Sequence, residues 1–283
     1  MNGQIIRIIS NLYTVKIEDM LFGCRARGVF RNRGITPLVG DNVIVDTDNN
    51  IIVKILPRKN ELKRPAIANV DNALIIASVK EPDLDLILLD KLISIITYNN
   101  IEPLIVFTKL DLLTDEKKEE IATLKEYYES IGYQVFFNTE SARIIKAIKG
   151  KIVVLAGQSG AGKSTLINKL TDKYDIETKE ISKALGRGKH TTRHTELYDI
   201  DDALVADTPG FSSLELNTIS KEELQYTFRE FKDYVCKYRD CLHNKEDDCE
   251  IKKAVENKRI LKSRYDNYLK IMEEIKWKLG FHL

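Results

Sequence analysis

Gly157-Gln158-Ser159-Gly160-Ala161-Gly162-Lys163-Ser164 fills every fixed position of the eight-residue phosphate-binding loop. It stands between an apolar run, Ile152 to Ala156, and a segment of helical spacing that begins at Lys163. That context is what such a loop requires, because a buried strand delivers it and a helix leaves it. The glycines let backbone N–H groups turn inward around a phosphate, and Lys163 reaches the β and γ oxygens. Ser164 offers its hydroxyl to Mg²⁺ at a helix N-terminus, whose partial positive charge favours anions. The spacing predicts a nucleoside triphosphate site in an α/β domain.

Two shorter stretches complete the chemistry. Asp207-Thr208-Pro209-Gly210 follows the apolar strand Ala203 to Ala206, where a metal-side carboxylate and a γ-phosphate-sensing amide belong. Asp207 is expected to hold Mg²⁺ through a water, and the Gly210 N–H to sense the terminal phosphate. Thr108-Lys109-Leu110-Asp111 closes the apolar run Leu104 to Phe107. A carboxylate at Asp111 accepts both guanine N1–H and N2–H, which adenine cannot donate, while the Lys109 stem packs along the base. Leaving that carboxylate unpaired rejects ATP. Alone, the tetrapeptide reads equally well as a helix start with Asp111 or Thr114 as N-cap.

The surroundings bound the class. With 283 residues, 43% hydrophobic and 31% charged, the chain holds one ordinary core and one or two smaller modules. Its apolar runs fall far short of the roughly 20 residues a membrane helix needs, so the expectation is a soluble, cytoplasmic protein. The net charge of +1 is unevenly spread. Residues 1–68 carry 11 Lys/Arg against 6 Asp/Glu, residues 69–216 carry 18 against 24, and residues 217–283 carry 15 against 13. Basic ends around an acidic middle suit a polyanionic partner.

Short alternating runs such as Tyr13-Thr14-Val15-Lys16-Ile17 and Ile51-Ile52-Val53-Lys54-Ile55, broken at Asn11, Gly40-Asp41 and Asp48 to Asn50, predict about five strands in a small barrel. An OB-type barrel is the first expectation and an SH3-like barrel the second. Leu56-Pro57 to Arg64-Pro65 reads as a basic linker. From residue 69 the runs become continuous and alternate with helical spacing, as in a parallel sheet covered on both faces. After about 217 the pattern is helical around a cysteine-rich loop. There Cys236, Cys241, His243 and Cys249 supply three thiolates and an imidazole within fourteen residues, the donor set of a closed tetrahedral Zn²⁺ site. Cys24 reads as a small buried hydrophobe.

In most GTPases of this kind the phosphate loop comes first and the base element last. Here residues 108–111 precede 157–164. This order, with Gly157 to Thr165, Gly186-Arg187-Gly188-Lys189-His190-Thr191-Thr192, Asp207 to Phe211 and Cys236 to Cys249, resembles the circularly permuted, small ribosomal subunit-dependent GTPases of the YjeQ or RsgA family. The resemblance runs the whole length. It implies an OB-type barrel with linker at 1–68, a permuted α/β P-loop GTPase domain at 69–216 and a helical zinc-binding module at 217–283. It also implies nucleotide contacts along Gly157 to Thr165, Mg²⁺ with GTP, one Zn²⁺, and a small (30S) ribosomal subunit partner bound through its rRNA by a monomer. Ser141-Ala142 best matches the second guanine-contacting element. Residues 186–192 would form the first switch loop, with Thr191 or Thr192 completing the Mg²⁺ shell. Phe211 stands where a water-orienting glutamine is usual and cannot hydrogen-bond, so His190 is the candidate for positioning the attacking water. Thr108 replaces the more usual asparagine, which predicts a weaker tie between base loop and phosphate loop. The competing readings are a P-loop ATPase and an RNA-binding adaptor that keeps GTP as a structural ligand.

Overall fold

A computed structural model describes residues 1–28, 30, 34–63, 65–171, 196–206 and 216–275. The first five strands, β1 (Asn2–Ile9), β2 (Leu12–Ile17), β3 (Met20–Ala26), β4 (Asn42–Asp46) and β5 (Ile51–Ile55), close into a barrel of order β1-β2-β3-β5-β4. All neighbours are antiparallel except β3 and β5. Ile5, Val15, Ile17, Cys24, Val43, Val45 and Ile52 fill its interior, so the alternating pattern reports an inside and an outside. The expected OB-type barrel is present, and Cys24 is buried in it, which raises its thiol pKa.

The stretch read as a linker is built into the fold. β6 (Glu61–Lys63) and β7 (Ala66–Ala68) form a hairpin whose Leu62 and Ile67 join the core of the following domain. Arg58 is held by the fully buried Asp41, with Nε to Oδ1 at 2.7 Å and Nη2 to Oδ2 at 2.8 Å, and Lys59 pairs with Asp71. Two prolines prevented helix here, as expected, but alternation over only three residues is too short to announce a strand.

A six-stranded sheet of order β10-β9-β8-β11-β13-β12 carries the rest. It comprises β8 (Asn72–Ser78), β9 (Glu102–Thr108), β10 (Gln134–Phe137), β11 (Ile152–Ala156), β12 (Leu197–Ile200) and β13 (Ala203–Ala206), all parallel to their neighbours except the β12–β13 pair. Ile75, Ile105, Phe107 and Val154 face one apolar layer, while Leu74, Ile76, Val106 and Val153 face the other. Both faces are therefore covered, by α1 (Leu86–Tyr98), α2 (Asp115–Ser130), α3 (Ser141–Ile148) and α4 (Lys163–Thr171). Barrel strand β1 approaches the sheet's edge strand, where Arg7 bridges to Glu196 and Lys16 pairs with Asp199 at 2.5 Å.

Beyond residue 216 the described chain has two short helices, α5 (Lys221–Leu224) and α6 (Glu250–Glu256), and a longer one, α7 (Lys262–Glu274). Helical spacing runs on through the tail, but α6 and α7 are separate helices. Lys258 takes a left-handed conformation at φ 57° and divides them. The module packs on α1, whose Ile95 lies in the same cluster as Phe228, Tyr268 and Ile271.

Candidate functional site

Strand order reverses between β8 and β11: the chain runs outward from β8 through β9 to β10, then returns to lay β11 on the other side of β8. A crevice at the carboxyl ends of the strands around such a switch point is where ligands bind in open α/β sheets. The phosphate loop lies there, leaving β11 and entering α4. Gly157, Gly160 and Gly162 have φ of 129°, 77° and 94°. A Cβ on Gly157 would meet the Ile76 carbonyl oxygen at 2.2 Å, so only glycine lets the loop cross the end of β8. Lys163 Nζ lies 2.7 Å from the carbonyls of both Gly157 and Gln158, over the mouth of the loop. Ser159, Ser164 and Thr165 are exposed.

The base loop leaves β9, two strand spacings or roughly 10 Å from β11. Thr108 spans the gap. Its Oγ1 donates to the Ala161 carbonyl at 2.7 Å in a buried position, so the tie between base loop and phosphate loop that threonine was expected to weaken is made after all. Lys109 turns left-handed at φ 64° and its ammonium donates to the Glu81 carbonyl. Asp111 sits exposed inside a single 3₁₀ turn, Leu110–Leu112, while the N-cap of α2 is Thr114, which leaves Asp111 available to a base rather than to a helix end.

Ser141 and Ala142 open α3, which follows β10, Ser141 buried and Ala142 exposed. The residues directly after β10 lie nearer the base loop: the Asn138 N–H donates to the Phe107 carbonyl at 3.0 Å, and Glu140 folds the turn by accepting from the Phe137 N–H at 2.6 Å. Sequence reasoning missed Asn138 and Thr139, and the strand register was the signal that finds them. It also missed the turn before α1. There the Val79 N–H donates to the Thr108 carbonyl at 3.1 Å, and a Cβ on Gly160 would meet Pro82 at 3.8 Å. His190, Thr191, Thr192, Asp207 and Gly210 lie outside the described residues.

The cysteine cluster assembles fully. The donor atoms of Cys236, Cys241, His243 and Cys249 all lie within 4.8 Å of one another. Nδ1 of His243 is 3.5, 3.4 and 3.4 Å from the three sulfurs, and Cys236 Sγ is 3.8 Å from Cys249 Sγ. A tetrahedron with Zn–S of about 2.3 Å and Zn–N of about 2.0 Å has edges of about 3.8 and 3.5 Å. The residues fit the ion. His243 points Nε2 at Gln225 Oε1, 3.0 Å away, which fixes the proton there and leaves Nδ1 as the donor. Burial keeps His243 neutral by lowering its pKa and raises the thiols of Cys241 and Cys249, a penalty that a bound cation reverses. Tyr265 and Tyr268 hold the carbonyls of His243 and Leu242 at 2.7 and 2.9 Å, and Glu246 accepts from the N–H groups of Leu242 and Asn244. Gln225, Glu246 and the two tyrosines had no local signal.

A phosphate loop at the switch point, joined by Thr108 to a base loop that precedes it in sequence, defines a circularly permuted P-loop GTPase. Family models agree: residues 55–217 match the RsgA GTPase and residues 2–52 the RsgA N-terminal domain. The chain is 46% identical to the small ribosomal subunit biogenesis GTPase RsgA 2 of Listeria innocua over 98% of both chains, and 45% identical to RsgA of Clostridium botulinum over 97% of both. In three dimensions it is similar to YloQ, a circularly permuted GTPase, with a TM-score of 0.84 and 38% identity over 97% of this chain and 94% of that one. YjeQ from Thermotoga maritima gives 0.84 and 34% over 97% and 98%. The chain belongs to the RsgA GTPase family and is a GTP-hydrolysing enzyme.

Proposed function

We propose that this GTPase acts on the small ribosomal subunit during its late maturation, as a cytoplasmic monomer that grips 30S rRNA through its barrel and its zinc module, on the division 1–68, 69–216 and 217–283. The partner reading rests on relatives over nearly the whole length that are named for small ribosomal subunit biogenesis. The residue roles rest on one observation above others, the Thr108–Ala161 hydrogen bond, because it joins base and phosphate elements into one site.

Asp111 selects guanine and Lys109 flanks it, with Ser141-Ala142 or the Asn138-Thr139 turn closing the other side of the base. The amides from Gly157 to Thr165, with Gly210, receive the phosphates, and Lys163 balances charge as it spreads over the transferring group. Ser164, Asp207 and Thr191 or Thr192 are the residues that would hold Mg²⁺, which neutralises phosphate charge when bound. His190 orients the water that attacks the γ-phosphorus as the bond to the β–γ bridging oxygen breaks. Cys236, Cys241, His243 and Cys249 hold one Zn²⁺. Cosedimentation with purified small and large subunits, in GDP and in a non-hydrolysable GTP analogue, tests the partner: preference for the small subunit in the GTP-like state is expected, and equal binding to both subunits sinks it.

A further inference from the structure

Five buried polar residues from four segments meet where the C-terminal module docks. Arg264 of α7 is 2% exposed; its Nε and Nη2 reach the Glu230 carboxylate at 2.7 and 3.0 Å, and its Nη1 reaches Oδ1 of Asp90. Asp90, on α1, is fully buried, and its other oxygen accepts from Asn267 Nδ2 at 2.7 Å. The Tyr128 hydroxyl, on α2, donates to Asp90 at 2.8 Å. The rings of Phe228 and Tyr128 lie 4.5 and 5.3 Å from the guanidinium carbon, closing the cluster off from water.

The cluster holds two helices, α1 through Asp90 and α2 through the Tyr128 hydroxyl on Asp90 and its ring beside the guanidinium, and these are the helices that leave the nucleotide-facing turns. α1 follows the turn 79–85, which bonds to the base loop at Val79 and Glu81 and runs beside the phosphate loop, where a Cβ on Gly160 would meet Pro82 at 3.8 Å. α2 follows the base loop itself. A planar fork that binds two carboxylates at once fixes angles as well as distances, which a lysine could not do. A site whose contacts are set by short turns shifts when the helices behind those turns shift.

We propose that Arg264, Asp90 and Glu230 are positioning residues of the GTPase site: through α1 and α2 they make the docked C-terminal module set the geometry of the base loop. Guanine affinity and module order are then linked, and the linkage runs both ways. The proposal rests on residues 108–111 and 157–165 being the nucleotide site, which Asp111→Asn tests separately, and it needs no ribosomal partner.

In the full chain with its zinc, Asp90→Asn keeps the shape and removes the charge. The expected result is a KM for GTP raised about tenfold with kcat nearly unchanged, the pattern of weakened uniform binding, at a zinc content equal to the parent's. A purely structural role lowers the active fraction and melting temperature and leaves KM alone, and that outcome overturns the proposal. Arg264→Lys is expected to show the same split in weaker form. Should both variants fail to fold, hydrogen exchange on the unaltered chain decides: saturating GDP must slow amides in residues 228–233 and 262–274, and unchanged rates there overturn the proposal.

Discussion

Thr108 and Asp111 show what single side chains contribute to nucleotide choice. Thr108→Val keeps the shape but leaves the Ala161 carbonyl buried without its donor, a loss worth about 1–3 kcal/mol. Both GDP and GTP affinities are expected to fall together, measured by titration with a fluorescent nucleotide, because the bond shapes the loops rather than touching the γ-phosphate. Asp111→Asn acts differently. Its amide cannot accept from the guanine amino group but can donate to the 2-oxo group of xanthine, so GTP binding weakens and XTP binding improves. Competition between the two nucleotides reads this, and unchanged preference in the variant would move the base site elsewhere. Other residues escaped prediction because their partners are remote. Phe30, in the basic stretch Arg25 to Arg33 where a ring could stack on an unpaired base, is buried in the barrel core, since a ring beside a small barrel stabilises more by filling it. Arg264, one of several basic residues in the tail, is the most deeply buried charge of its helix because Asp90 and Glu230 await it 174 and 34 residues away.

At the scale of elements, the Cys236, Cys241, His243 and Cys249 cluster sits in a module whose only long helix among the described residues is α7. Helices α5 and α6 have four and seven residues, too short to stand alone. Metal binding is therefore expected to be coupled to folding there. Cys241→Ser is expected to release the ion, seen by elemental analysis, and to raise hydrogen exchange across residues 216–275 while the barrel and sheet stay protected, because each has its own buried cluster. An ordered module in metal-free protein would refute the coupling. Elements announced by local pattern were legible in the sequence: the phosphate loop with its strand and helix, the continuous apolar strands β8, β9 and β11, and the cluster of Cys236, Cys241, His243 and Cys249. Those defined by distant pairing were not. The β6–β7 hairpin is too short for alternation to register, and the tail broke at Lys258 because helical periodicity on either side carries no mark of one left-handed residue. Ser141-Ala142 matched a pattern by residue type, whereas the register of β10 against β9 brings Asn138 beside the base loop. Nothing in spacing encodes that.

For the whole molecule, the permuted order is tolerable because a parallel sheet fixes each strand by burial on two faces, not by its place in the chain. Along the chain a basic module precedes and another follows the acidic sheet segment, and the pairing of each basic residue decides which remain for a polyanion. Arg58 is not among them, although it lies in the most basic stretch. Its guanidinium neutralises Asp41, which is fully buried, and also holds the Thr36 carbonyl. Removing one partner of a buried pair leaves an uncompensated charge, at about 3–5 kcal/mol. Arg58→Ala is accordingly expected to lower the melting temperature, whatever it does to binding. Arg25 and Arg27, by contrast, are exposed at the end of β3, on the barrel surface; Arg31 and Arg33 lie outside the described residues. Neutralising Arg25 and Arg27 together should leave melting and GTP binding unchanged while weakening association with the small subunit. It should also reduce the slope of log affinity against log salt by about one for each phosphate no longer neutralised. A salt series of cosedimentation on the parent and both variants reads the two effects at once. If the double variant binds with the parent's salt slope, the barrel does not grip phosphate through this face, and the charge asymmetry of the chain serves solubility alone.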